Sequence, residues 1–183
     1  MSDAIVSDRL ELIPLSLEFL RASLEADRAR TERLVAFAVA PEWPDEPPIV
    51  KMRIGELEAD PSLRPWLLRA MVERSSRRMV GHIGFHSRPG ADYLRELSPG
   101  GVELGYVVYP AFRRRGYARE ATLAMMAWAA RTHGVRRFVV SISPSNAAST
   151  ALAEQLGFRR IGSHVDEVDG PEDIFELLRD ESV

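Results

Sequence analysis

The 183 residues carry 24 Lys and Arg against 27 Asp and Glu, a net charge of −3, and an apolar fraction of 45%. That balance argues against a chain whose main partner is nucleic acid, and the apolar fraction supports a packed core in one domain over residues 1–183. The absence of cysteine removes disulfides, thiolate catalysis and cysteine-based zinc sites, and it favours a reducing, cytoplasmic home. The first residues show no basic stretch followed by an apolar run, and nowhere do about 18 apolar residues follow one another, so neither a secretory signal nor a membrane span is expected.

In chain order, "RLELIPL" alternates Leu10 and Leu12 with charged neighbours and predicts a first strand. Ser16 then stands as an N-cap before "LEFLRASLEA", a helix, and "RARTERLVAFA" continues in helical character after a break. The four prolines of "PEWPDEPP", residues 41–48, remove donors and fix the backbone, which predicts an exposed loop before a helix over "IVKMRIGELEAD". "WLLRAMVE" and "RMVGHIGFHS" predict strands joined by a hairpin at "ERSSRR". A glycine- and proline-marked loop, residues 88–101, leads to "VELGYVVYP", a strand whose internal Gly105 suggests a bulge.

The strongest helix is "YAREATLAMMAWAARTHG", with Ala121, Met125, Trp128 and Ala129 on one face and Gly134 as its stop. "RRFVVSIS" is a strand, and "SNAASTALAEQLG" a helix opened by Ser145 or Asn146 and closed by Gly157. "FRRIGSHVDEV" and "DIFELLRD" close the chain as strands. The order predicts a mixed α/β fold in packed layers.

One stretch raises a question of charge. In "PAFRRRGYAREA", residues 110–121, three arginines sit where the long helix begins. A helix start already carries partial positive charge and main-chain N–H groups without acceptors, so the arginines are repelled unless an anion joins them. Gly116 permits close backbone approach, and the small Ala118 does not block it. Phosphate oxygens suit such a place. The spacing of a nucleotide P-loop is missing, and with one glycine so is the dinucleotide-binding fingerprint.

Arg113-x-x-Gly116-x-Ala118 resembles instead the Q/R-x-x-G-x-G/A signature of the GNAT acetyltransferases. The neighbours extend the likeness. "VELGYVVYP" is similar to that family's fourth strand and "MVGHIGFH" to its third. Asn146, Ser149, Leu152, Gly157 and Phe158 fall in register with a further segment of the family. "RLELIPL" resembles the opening strand of the subgroup related to ribosomal-protein N-terminal acetyltransferases. The likeness covers most of residues 8–178, is specific over 102–158 and is loose before about residue 77.

The resemblance implies a central, mostly antiparallel sheet of about six to seven strands, splayed between the fourth and fifth and flanked by helices. It implies acetyl-CoA as acetyl donor, with its pyrophosphate held by Arg113, Arg114, Arg115, Gly116, Tyr117 and Ala118. The main-chain groups of Tyr106, Val107 and Val108 would meet the pantetheine arm and thioester, with Asn146 bonding that arm or capping its helix.

Glu103 is the implied base, acting through water, with a pKa expected to be raised by an apolar cleft. It is alternatively an outward or salt-bridged strand residue. A tyrosine that serves many relatives as proton donor is replaced by Ala153, while Ser149 matches the serine of the ribosomal subgroup, or bonds back within its helix.

Other features point less sharply. His82, His86, His133 and His164 show no metal-ligand spacing, so no metal is expected, and His82 and His86 flank a strand near the acceptor side. Trp43 either covers the acceptor site or pins its loop, and "DEVDGPED" reads as a solvated turn.

The leading reading is an N-acetyltransferase acting on a primary amine, either a protein N-terminus or a small molecule. An α-amino group, pKa about 7.7–8.0 against about 10.4 for lysine, needs the weaker base. The alternative is a non-catalytic acyl-CoA-binding or regulatory module. An RNA-contacting role for "FRRRG" lacks interleaved aromatics. Family members often form homodimers, and the sequence leaves that state open.

Overall fold

The computed structural model describes residues 3–166 and 170–179. The end of the predicted strand "FRRIGSHVDEV", the middle of "DEVDGPED" and Asp180 lie outside the described residues. Two compact units are present, residues 1–84 with 106–125 and residues 85–105 with 126–183.

The first unit opens with β1 (Ile5–Val6) and β2 (Leu10–Pro14), followed by α1 (Leu17–Leu24), α2 (Arg28–Arg33) and α3 (Pro47–Ala59). It continues with β3 (Arg69–Glu73) and β4 (Arg78–Phe85) as far as Gly84. It also takes the later part of β5 (Val102–Val108) and the start of α4 (Tyr117–His133). β1 to β4 pair antiparallel in sequence order, with Leu12 opposite Met71 and Arg69 opposite Ile83.

Local chemistry sets these elements. Ser16 Oγ accepts from Phe19 N at 3.1 Å and so starts α1, whose buried face presents Phe19, Leu20 and Ala22. Each large apolar side chain taken from water there contributes roughly 1.5–3 kcal/mol. Phe19 and Leu20 join Phe37, Trp43, Val50, Leu57, Leu67 and Tyr109 in one apolar cluster. Arg69, fully buried in β3, donates to the carbonyls of Pro65, Leu12 and Asp3. Burial first, and then nearby Arg64, push its pKa down to about 10.

The second unit holds the beginning of β5, the later part of α4, β6 (Arg137–Ile142), α5 (Ala147–Gln155), β7 (Arg159–Asp166) and β8 (Gly170–Leu178). β6 and β7 both pair antiparallel with β8. β5 and β6 pair in parallel through Val102↔Phe138 and Glu103↔Val139. Phe85 stacks on Trp128 and on Phe138, each at 6.4 Å. Gly134, with φ of 68°, ends α4 by donating to Ala130 O at 3.0 Å.

The strand order is β1-β2-β3-β4-β5-β6-β8-β7, a mostly antiparallel sheet with flanking helices, as expected. Three details differ. The short β1 brings the strands to eight. Pro47 and Pro48 begin α3 instead of ending a loop, because the first helical turn has no use for their missing N–H groups. Register shifts not expected from the sequence lie at Met71/Val72 between β3 and β4 and at Arg160/Gly162 between β7 and β8. No helix among the described residues is long and apolar enough to cross a membrane.

Candidate functional site

In the first unit, β5 leads through a 3₁₀ turn (Pro110–Phe112) into the arginine stretch. Arg114 and Gly116 both take left-handed backbone, φ 60° and 82°, and this reverses the chain just before α4. Glu120 N donates to Gly116 O at 3.0 Å and closes the first helical turn. The main-chain N–H groups of residues 114–119 have no acceptor among the described residues. Six donors with adjacent cationic side chains form an anion-binding concavity.

The six predicted cofactor-loop residues divide by what their side chains do. Arg113 Nε donates to Val108 O at 2.9 Å. The Arg115 guanidinium lies 5.7 Å from the centre of the Phe112 ring, and Arg114 is exposed. Tyr117 is buried and its hydroxyl donates to Glu73, so its side chain serves the fold and its N–H serves the concavity. Ala118 is half-buried.

Sequence reasoning missed the brace under this turn. Arg9 Nη1 donates to Arg115 O (2.9 Å), while Arg9 Nε and N donate to the Glu120 carboxylate at 2.7 Å each. Ser7 Oγ adds a third bond to Glu120 at 2.7 Å. These partners stand more than a hundred positions apart, and no local pattern announces them.

Of the three β5 residues, Val108 accepts from Arg113 Nε through its carbonyl at 2.9 Å, and the Val107 carbonyl lies against Gly81, where a side-chain carbon would begin 2.1 Å from its oxygen.

In the second unit, Glu103 is 7% exposed. His86 Nδ1 lies 3.5 Å from its Oε2. The His86 ring covers Gly105, where a side-chain carbon would begin 3.0 Å from Nε2. Burial is the largest influence on the Glu103 carboxyl and pushes its pKa up. Bonds and charge from His86, then Ser141 and Tyr93, together outweigh it and hold the pKa below the ordinary 4.5. The expected upward shift is therefore reversed, because polar neighbours from distant segments replace the apolar cleft.

Asn146, not Ser145, caps α5: its Oδ1 accepts from Ser149 N at 3.1 Å. That brings Asn146 and Ser149 together, and it leaves the Asn146 amide nitrogen as the group able to donate to a ligand. Ala153, at the place of the missing tyrosine, is buried.

Among the histidines, His82 is buried and bonds to Asp45, and ligand-type atoms of Asp45, Glu46 and His82 lie within 4.8 Å of one another. His133 packs edge-on against Trp128 at 4.8 Å, and His164 lies 3.5 Å from Glu172.

The amides of residues 114–119, which have no acceptor among the described residues, and the arginines beside them present a place chemically suited to an anion. A family model described as acetyltransferase (GNAT) domain matches residues 9–159, and the chain belongs to that family of acetyltransferases. YjdG of Bacillus subtilis (strain 168), an uncharacterised N-acetyltransferase, is 24% identical over 157 residues, covering 83% of this chain and 87% of its own. A solved structure described as a GnaT-family acetyltransferase from Bordetella pertussis superposes with a TM-score of 0.69 at 25% identity, covering 95% of this chain and 98% of that one. RimL, a ribosomal L7/L12 α-N-protein acetyltransferase solved with coenzyme A, has a TM-score of 0.64 at 18% identity, with 98% and 99% covered; that likeness speaks to the fold.

Proposed function

We propose that this protein transfers the acetyl group of acetyl-CoA to a primary amine by direct attack. The observation that carries the reading is the row of acceptor-free amides at residues 114–119 beside Arg113, Arg114 and Arg115, in a chain of the GNAT family. Those amides hold the pyrophosphate. The main chain of Tyr106, Val107 and Val108 meets the pantetheine arm and thioester, and Asn146 donates its amide hydrogen to the same arm. A main-chain N–H aimed at the thioester oxygen lowers the barrier by about 2.7–4 kcal/mol.

The amine nitrogen attacks the thioester carbon and a tetrahedral oxyanion forms. The C–S bond then breaks, giving the N-acetyl product and coenzyme A thiol. Glu103 removes the amine proton through water, and His86, 3.5 Å away, passes it to solvent. Ser149 returns a proton to the departing sulfur. Because Glu103 is held ionised, it is a ready but weak base, which suits an amine of low pKa. An α-amino group meets that need, and the likeness in fold to RimL agrees with it.

The test follows free thiol release with a panel of amines and peptides, alongside calorimetry of coenzyme A. Glu103→Gln is expected to lower kcat by about 10²–10⁴ while leaving coenzyme A uptake intact. Coenzyme A uptake with no turnover across the panel would instead identify a binding module, and no uptake at all would sink the reading.

A further inference from the structure

Carboxylates in the first unit mostly sit beside arginines, as in Arg21–Glu58, Arg28–Glu32 and Arg53–Glu56. One group departs from that pattern. Asp45 is hydrogen-bonded to His82 at 3.0 Å and sits beside no arginine within ion-pair distance among the described residues. His82 is 5% exposed, and its ring meets Trp43 edge-on at 5.5 Å and Tyr109 at 6.3 Å. The Tyr109 hydroxyl is buried, the residue being 1% exposed, and has no hydrogen-bond partner of good geometry. Burial, then the charges of Asp45 and Glu42, a hydrogen-bonding approach to Asp45 and the charge of Glu46 push its pKa far up, so three carboxylates act on one buried hydroxyl that points toward Asp45. Asp45 and Glu46 are exposed and give the place an entrance.

We infer that Asp45, Glu46, His82 and Tyr109 form a subsite for a second, non-reacting cationic group of the acceptor, so that the substrate is an amine carrying a further positive charge. This rests on the acetyl-transfer reading. Tyr109 directly follows Val108, whose main chain that reading assigns to the acyl arm, so the subsite borders the reacting segment within one unit.

The reacting nitrogen itself does not belong here. Carboxylates stabilise an ammonium and raise its pKa, and attack requires the neutral amine. The ligand-type atoms of Asp45, Glu46 and His82 lie within 4.8 Å of one another, and Asp45 and His82 already share a hydrogen bond at 3.0 Å that a metal taking both atoms would break.

The test compares norleucine amide with lysine amide, a monoamine and a diamine that share an α-amino group, by thiol release, and measures binding of the diamine to the coenzyme A-saturated protein by calorimetry. The diamine is expected to exceed the monoamine in kcat/KM by roughly tenfold or more, the effect of one charge-assisted bond. Asp45→Asn should collapse that ratio toward one. Tyr109→Phe, which removes only the hydroxyl, should lower it in a protein of unchanged thermal stability. Diamine binding should weaken at high salt.

Equal use of the two amines, or no calorimetric binding of the diamine, overturns the inference. So does tight Zn²⁺ uptake lost in His82→Ala, which would mark a metal site. Coenzyme A uptake is recorded in the same experiments. If it is present while the diamine shows no advantage, only the subsite falls; if it is absent, the acetyl-transfer reading falls first and diamine binding still decides the subsite.

Discussion

Two irregular segments of the first unit enter helices in opposite ways. Residues 41–48 lead into α3, and residues 110–116 lead into α4. The first places Pro47 and Pro48 in the opening turn of its helix, which deletes two of the amides a helix start leaves open. It also buries Trp43, whose indole N–H donates to Ser23 Oγ at 2.8 Å and whose ring lies 5.8 Å from Phe19. The second uses left-handed backbone at Arg114 and Gly116 and keeps the amides of residues 114–119 unoccupied under exposed arginines. One connection removes donors and fills apolar space; the other displays donors. A helix N-terminus becomes an anion site only when its amides are spared, and the proline-rich start of α3 shows the same local geometry closed to that use.

The widest test of this contrast is Trp43→Ala. Loss of a buried tryptophan costs about 3–5 kcal/mol, read by chemical denaturation. In protein that remains folded, coenzyme A affinity is expected to fall less than about tenfold, because Trp43 shares an apolar cluster with Tyr109 and Phe112 but not the hydrogen bonds that shape the turn. A stability loss below about 1 kcal/mol would mean that Trp43 is no part of the core, and a large affinity loss would mean that the two connections are not separable.

Gly116→Ala should do the reverse at smaller scale. A side-chain carbon there would lie 3.4 Å from Arg9 Nη2, the flexible end of a long chain, so space is not the obstacle. The φ of 82° is, at about 1–2 kcal/mol for an L-residue. Because the strain is relieved by moving the very amides that face the ligand, coenzyme A affinity should drop about tenfold in calorimetry. Unchanged affinity would detach the turn from cofactor binding.

The same contrast explains what was legible in the sequence. The Ser16 cap, the Gly134 stop, the proline-broken segment and the arginine–glycine turn each act through neighbours within a few positions, and each was readable. So was the strand–helix order, since periodicity is local. What escaped reading depends on partners brought from far along the chain. Arg9 and Ser7 reach Glu120 from the other end of the first unit. Trp43 is buried because α1 presents Phe19 and Ser23 to it, and an exposed loop was the natural expectation from four prolines. Glu103 was readable as a candidate base, but the direction of its pKa was not. That direction is set by His86, Ser141 and Tyr93, which the strand's own sequence does not name.

The smallest effect concerns the brace itself. Burial, the largest influence, raises the Glu120 pKa, but the Arg9 N–H, the Ser7 hydroxyl and the Arg9 guanidinium together hold it below the ordinary 4.5. A carboxylate whose folded pKa is depressed contributes stability that is fully present above its unfolded pKa and is lost as pH falls through the folded one. The window therefore lies below about pH 4.5. Glu120→Gln is expected to lower stability at neutral pH by up to about 1 kcal/mol after solvent screening, and to flatten the decline of stability in that acid window. Freed from Glu120, Arg9 also loosens from the Arg115 carbonyl, so coenzyme A affinity should fall slightly at pH 7. Denaturation curves from pH 3 to 7 for both proteins decide it. Parallel curves would show that the brace holds no charge-dependent stability, and that the arginine turn keeps its shape through its own backbone alone.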